Sequence, residues 1–189
     1  MKYDLKKKTN RFAERTLAAF SESLMQLLET KALESVTVNE LCEACNYPRA
    51  TFYNYFDDIY DLLNYVWYCM EKDIDISDYP DIRQEERIYV IFSRVYDYFV
   101  TWRDRLNKVM RNNPVGGAFV LSCERYVRSR TTEILKAEGC DTTHDIPSEM
   151  VAEHYGNTIQ LVLEWSFLRG VSLSKDEALK CLRTLLSEL

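Results

Sequence analysis

Thr37-Val38-Asn39-Glu40-Leu41-Cys42-Glu43-Ala44-Cys45-Asn46-Tyr47-Pro48-Arg49-Ala50-Thr51-Phe52-Tyr53-Asn54-Tyr55-Phe56 is the stretch whose reading decides the fold. Thr37 and Glu40 fit a capping box, in which the hydroxyl accepts from the N–H three residues on and the carboxylate reaches back. A helix therefore starts at Thr37, turns Leu41 and Ala44 inward and ends near Cys45. Asn46 tolerates the left-handed conformation that ends helices. Pro48 suits the first turn of a second, short helix running to about Tyr55, because its missing N–H has no partner there. Phe52 and Phe56 are one turn apart and should face inward.

Outward from this pair, the spacing of Ala13, Leu17, Phe20, Leu24, Leu27 and Leu28 predicts a helix over about 9–30. Asp57 and Asp58 sit where carboxylates favour a helix start, and Leu62, Leu63, Val66, Trp67 and Met70 continue that helix. Residues 75–84 read as a connector. A long aromatic helix is expected from about Gln84 to Arg111, broken by Asn112-Asn113-Pro114-Val115-Gly116-Gly117. Further helices are expected over about 118–137, 148–169 and 174–189, with a loop at 139–147. Ser174 and Glu177 repeat the capping box. No alternating strand pattern stands out, so the fold class is all-α: an N-terminal three-helix helix-turn-helix head on a C-terminal helical domain, to which the family resemblance described below assigns ligand binding and dimerisation. The expected division is 1–56 for the head, a connecting helix over 57–74, and 75–189 for the second domain.

Composition agrees with long helices around a real core. Of 189 residues 47% are hydrophobic, while Gly and Pro number only 5 and 4. The net charge is −6, which argues against a coat of basic charge. Residues 1–56 nevertheless hold 8 basic and 7 acidic side chains, against 16 and 23 in the remainder. A near-neutral head with a basic tip suffices for a short DNA site. No signal peptide and no bilayer-spanning apolar run is visible, which predicts a cytoplasmic protein with reduced cysteines. Cys42 and Cys45 are read as small inner-face residues, with redox sensing the alternative. No nucleophile–base pair, phosphate loop or metal spacing appears, and no enzyme, cofactor or metal site is expected.

Two short helices joined by a tight turn predict a DNA-reading head whose second helix enters the major groove. Arg49 suits a guanine edge, Asn54 an adenine edge and the Ala50 methyl a thymine methyl; Tyr53 shares their face. Thr51, Tyr53 and Tyr55 offer hydroxyls to phosphates, as does Thr37 at its helix start, and Pro48, which opens the recognition helix, completes the DNA-binding set. Lys6, Lys7, Lys8 and Arg11 form a basic entrance to the first helix.

These residues, with Asp61-Leu62-Leu63 after them, resemble the TetR/AcrR family of transcriptional regulators across about residues 9–70. The C-terminal half is weakly similar, around Trp165, to the subgroup related to activators of dihydroxyacetone kinase operons. The chain departs from the family pattern in three places. Asn46 stands for the turn Gly, Pro48 for a Ser, and Ile59 for a Lys that commonly helps hold a phosphate. The third implies weaker anchoring there, and Ile59→Lys is expected to raise affinity and steepen its salt dependence.

The resemblance implies a homodimer on a double-stranded palindromic operator, with the last two helices forming a four-helix interface. The chain itself supports this: from Ile159 to Leu168 the helix is apolar nearly all round and needs burial on every side. Ala152, Gly156, Ile159, Leu163, Phe167, Leu179, Leu182 and Leu186 are the interface candidates, a monomer core being the alternative. The resemblance also implies an effector cavity. Tyr89, Phe92, Tyr96, Phe99 and Trp102, with His154 and Tyr155, are its candidate lining, and such a stripe reads equally as plain core. The expected function is a dimeric repressor released by a small-molecule effector; the alternative is an activator or coactivator-dependent regulator without an inducer.

Overall fold

The structure, a computed structural model, describes residues 11–75, 78–137, 146–169 and 172–187. Among these it is all-helical, with no strand. The α-helices are α1 (Arg11–Leu28), α2 (Val38–Cys45), α3 (Arg49–Tyr55), α4 (Ile59–Ile74), α5 (Gln84–Thr101), α6 (Arg103–Asn112), α7 (Ala118–Ala137), α8 (Ser148–Phe167) and α9 (Lys175–Leu186). Short 3-10 turns lie at Leu33–Ser35 and Tyr79–Asp81.

The chain forms two units. The first comprises Met1–Glu71 with Arg105–Ser122, the second Lys72–Asp104 with Cys123–Leu189. In the first, Leu17, Phe20, Leu24 and Leu28 of α1 and Leu41, Phe52, Phe56, Leu62 and Leu63 are all fully buried, and Phe20 packs on Phe52 and Phe56. Burying each such side chain is worth about 1.5–3 kcal/mol relative to leaving it exposed. The stretch 105–118 is fastened to the end of α1 by polar groups. Asn113, 2% exposed, accepts from Leu33 N–H at 2.8 Å. Its amide donates to the carbonyls of Leu28, Lys31 and Val109 at 3.2, 3.2 and 3.0 Å. Arg105 grips Glu22 with both terminal nitrogens at 2.9 and 2.8 Å.

In the second unit α5, α8 and α9 enclose one core. Its centre is Phe92, Tyr96, Ile159, Val162, Leu163, Ala178, Leu182 and Leu186. The Ser174–Glu177 capping box opens α9, with Ser174 N–H donating to the Glu177 carboxylate at 2.8 Å.

Two local expectations change. The single helix expected from Gln84 to Arg111 is two, parted at Trp102 (φ −99°, ψ 5°). No Gly or Pro marks this break. The last turn of α5 is closed on the Tyr98 carbonyl, which receives the Thr101 hydroxyl at 2.7 Å and the Trp102 N–H at 3.3 Å. In α2, Ala44 is exposed and Cys42 takes the inner position beside Leu41. Among the described residues, no helix is long and apolar enough to cross a membrane, and no three metal-ligating side chains gather.

Candidate nucleic-acid interface

The capping box forms as the sequence requires. Thr37 N–H donates to Glu40 Oε2 at 3.1 Å, and Glu40 N–H donates to Thr37 Oγ1 at 3.3 Å. The Thr37 hydroxyl hydrogen also goes to Glu40 Oε2, at 2.9 Å. This hydroxyl is thus spent on the cap, and its phosphate role would need that bond exchanged. The Lys31 ammonium and the Thr37 donors hold the Glu40 carboxyl down to about 2. The turn follows at Asn46, left-handed at φ 55° and ψ 42°, where Tyr47 N–H closes onto the Cys42 carbonyl at 3.0 Å. Burial pushes both the Cys42 and Cys45 thiols up, which keeps them protonated and inert.

Pro48 caps α3 from outside instead of lying in its first turn. Phe52 and Phe56 anchor the helix: Phe20 meets Phe52 edge-on at 5.5 Å and Phe56 at 6.4 Å, and both anchors are fully buried. With that face committed, Arg49, Ala50, Tyr53 and Asn54 are exposed together, with Pro48 beside them; Thr51 and Tyr55 are half-buried at its flanks. Arg49 Nη2 donates to the Tyr53 hydroxyl at 3.4 Å and the guanidinium lies 5.8 Å from that ring. The contact links two of the four exposed side chains. Arg11 is exposed in the first turn of α1, whereas Lys6, Lys7 and Lys8 lie outside the described residues.

At the start of α4 carboxylates occupy two of the backbone amides that an anion could use. Asp61 N–H donates to Asp58 Oδ1 at 2.8 Å, and Asp57 N–H donates to Asp61 Oδ2 at 3.1 Å. Ile59 is 7% exposed and belongs to the core of the head, so a Lys there must lift its ammonium past packed neighbours. Tyr60 is exposed on the same first turn, a position that spacing alone did not single out because its outward direction depends on how α4 is rotated.

The expected cavity residues separate. Phe92 and Tyr96 are sealed in the core, where the Tyr96 hydroxyl donates to the Leu173 carbonyl at 2.7 Å. Phe99 packs on Phe167 at 5.4 Å. Trp102 is exposed at the helix break and His154 faces solvent. Tyr89 and Tyr155 do line a cleft of about 400 Å³, together with residues of α5, α7 and α8. Helical spacing shows which residues share a face, not whether that face meets a helix or a void.

The interface candidates likewise turn inward. Ala152, Ile159, Leu163, Leu182 and Leu186 are buried in their own chain, and Phe167 and Leu179 are half-buried against the same core. Gly156 is buried against α7: a Cβ there would sit 3.6 Å from Arg128 Cα and from Thr131 Cβ. The outward face of α8 carries Met150, Leu161 and Trp165 instead, 61, 41 and 42% exposed, and α9 adds Leu185 at 46%. An all-round apolar helix leaves its two sides unlabelled, and only packing distinguishes them.

Residues 22–66 match the family model described as bacterial regulatory proteins, tetR family. Among curated proteins none matches the sequence. Solved structures share the fold. A candidate TetR-family transcriptional regulator of Syntrophomonas wolfei str. Goettingen is similar with a TM-score of 0.67 at 16% identity, over 93% of this chain and 95% of that one. A candidate transcriptional regulator of Pseudomonas aeruginosa PAO1 gives 0.59 at 10% identity, over 94% and 93%. A candidate fatty acid metabolism regulator of Clostridium perfringens gives 0.50 at 17% identity, over 90% and 98%.

Proposed function

We propose that this chain is a TetR-family transcriptional regulator that works in the cytoplasm as a dimeric repressor and leaves a palindromic operator when a small molecule binds its second unit. The observation that carries the DNA reading is the exposed set Arg49, Ala50, Tyr53 and Asn54 on a helix pinned from behind by Phe52 and Phe56. Arg, Asn and Ala match guanine, adenine and thymine edges, and the aromatic pins keep the helix from turning on contact. In this reading residues 1–56 form the reading head, 57–74 connect, and 75–189 bind the effector and a second subunit. Arg11 and the Lys6–Lys8 segment add phosphate contacts.

Pairing is supported by the outward stripe Met150, Leu161 and Trp165 of α8. Large apolar side chains gathered on one helix side mark an association surface, and a two-fold pairing of such a stripe is self-complementary. Leu161→Glu should give a folded monomer in sedimentation at micromolar concentration; a wild-type chain that is already monomeric there refutes the pairing.

The test of function is fluorescence anisotropy on DNA flanking the protein's own gene. Wild type should bind with a steep salt dependence, and Arg49→Ala should lose at least tenfold. Tyr53→Phe, which removes the hydroxyl holding Arg49, should lose less. Unchanged binding in both variants refutes the reading face.

A second reading, regulation by a protein coactivator without an inducer, is favoured by one observation. Phe92 and Tyr96 close on a core and not on a cavity. It predicts operator binding that no small molecule shifts.

A further inference from the structure

We propose that the cleft in the second unit takes a small uncharged aromatic molecule bearing a hydrogen-bonding group. This rests on the effector-controlled reading above and names the ligand class for it. The cleft measures about 400 Å³ and lies among the first half of α5, the second half of α7 and the middle of α8. That is at the small end of ligand sites, which run from about 300 to 1,000 Å³.

Arginines stand against two of its aromatic walls. The Arg87 guanidinium stands 5.0 Å from the Tyr79 ring and donates to the carbonyls of Ile82 and Pro80 at 2.8 and 3.1 Å. The Arg183 guanidinium lies 3.9 Å from the Tyr89 ring and pairs with Glu86 at 3.2 Å. Two of the three lining tyrosines are therefore fixed before a ligand enters. Fixed rings cost little further conformational entropy on binding, and aromatic partners settle on them edge-on or offset. Ile88, Ile134 and Ile159 complete an apolar lining, while Gln84 and Thr131 bring an amide and a hydroxyl to it.

The charges at the cleft decide against an ionic ligand. Glu85 is paired with Arg83 at 3.1 Å, and Arg87 is committed to two carbonyls and a ring. The Glu85 charge is met by Arg83, and the Arg87 guanidinium already gives hydrogens to carbonyls. An ion entering would leave its water for groups whose hydrogen bonds are already made within the chain.

The experiment is calorimetric titration of the full chain with three probes of matched size: 2-naphthol, 2-naphthoate and 2-naphthylmethylammonium. 2-Naphthol should bind with a submillimolar Kd, at least tenfold more tightly than either ion. Thr131→Trp, which fills the cleft, should weaken it tenfold or more. Tyr155→Ala reports the same site should the tryptophan fail to fold. Equal or tighter binding of an ion overturns the proposal, as does no binding of any probe at millimolar concentration. Unchanged 2-naphthol binding in both folded variants also overturns it. DNA binding by the ligand-free wild type is measured alongside. Its loss refutes the regulator reading, whereas its persistence beside a failed titration refutes only the ligand class.

Discussion

Asn113→Asp should destabilise the first unit more than Asn113→Ala does, although Asp is the closer isostere. Asn113 is 2% exposed, and its two ends do opposite jobs. Oδ1 receives the N–H of Leu33, itself buried, at 2.8 Å; Nδ2 serves the carbonyls of Leu28, Lys31 and Val109. Alanine orphans the Leu33 N–H, at about 1–3 kcal/mol for a buried unsatisfied donor. The carbonyls losing their donor bring the total to roughly 3 kcal/mol. At about 2–4 °C per kcal/mol for a chain of this length, the melting temperature should fall by some 6–12 °C. Aspartate keeps the acceptor for Leu33 but turns a negative oxygen toward three carbonyl oxygens. Burial and those dipoles raise its folded pKa above the unfolded value. Any stability it retains is therefore present below the unfolded pKa and lost as pH rises through the folded one. Urea melts followed by circular dichroism at pH 7 and pH 5 separate the cases. Asp should be the least stable at pH 7 and recover toward Ala at pH 5. An Asp variant as stable as wild type at pH 7 would refute the donor role and leave Asn113 only the acceptor of the Leu33 N–H.

Three further outcomes follow from the head. Thr37→Ala should cost about 1 kcal/mol in urea melts, the usual loss on removing a threonine cap. Glu40, held down to about 2 by Lys31 and Thr37, contributes stability above its unfolded pKa that is lost as pH falls from there toward 2; Glu40→Gln should flatten that part of the wild-type acid titration. Asp58→Asn preserves a good helix cap while removing a charge at the start of α4. It should raise operator affinity roughly 3- to 10-fold at low salt, fading near physiological salt where the Debye length is about 8 Å. Anisotropy at two salt concentrations checks this, and unchanged affinity would set the start of α4 away from the phosphates. Asp58→Asn is a cleaner probe than Ile59→Lys, because Ile59 is buried and its replacement disturbs packing as well as charge.

The features that the sequence by itself determined are those whose partners lie within a few residues. Thr37 finds Glu40, Asn46 turns left-handed, Phe52 and Phe56 fall one turn apart, and Ser174 finds Glu177; each bond or periodicity closes inside one helical turn. The exposure of Arg49, Ala50, Tyr53 and Asn54 was legible for the same reason, since naming the inward phenylalanines names the outward side. Tertiary structure decided whatever depends on a distant surface. It turned Ile159, Leu163 and Leu182 inward and left Leu161 and Trp165 outside, closed Phe92 and Tyr96 into core, and put Tyr89 and Tyr155 on a cleft. It also fastened Asn113 to the end of α1, some 80 residues away in sequence. Hydrophobic burial is non-directional, so an apolar residue encodes the need for cover but not which surface supplies it. That surface is known only once the helices have packed.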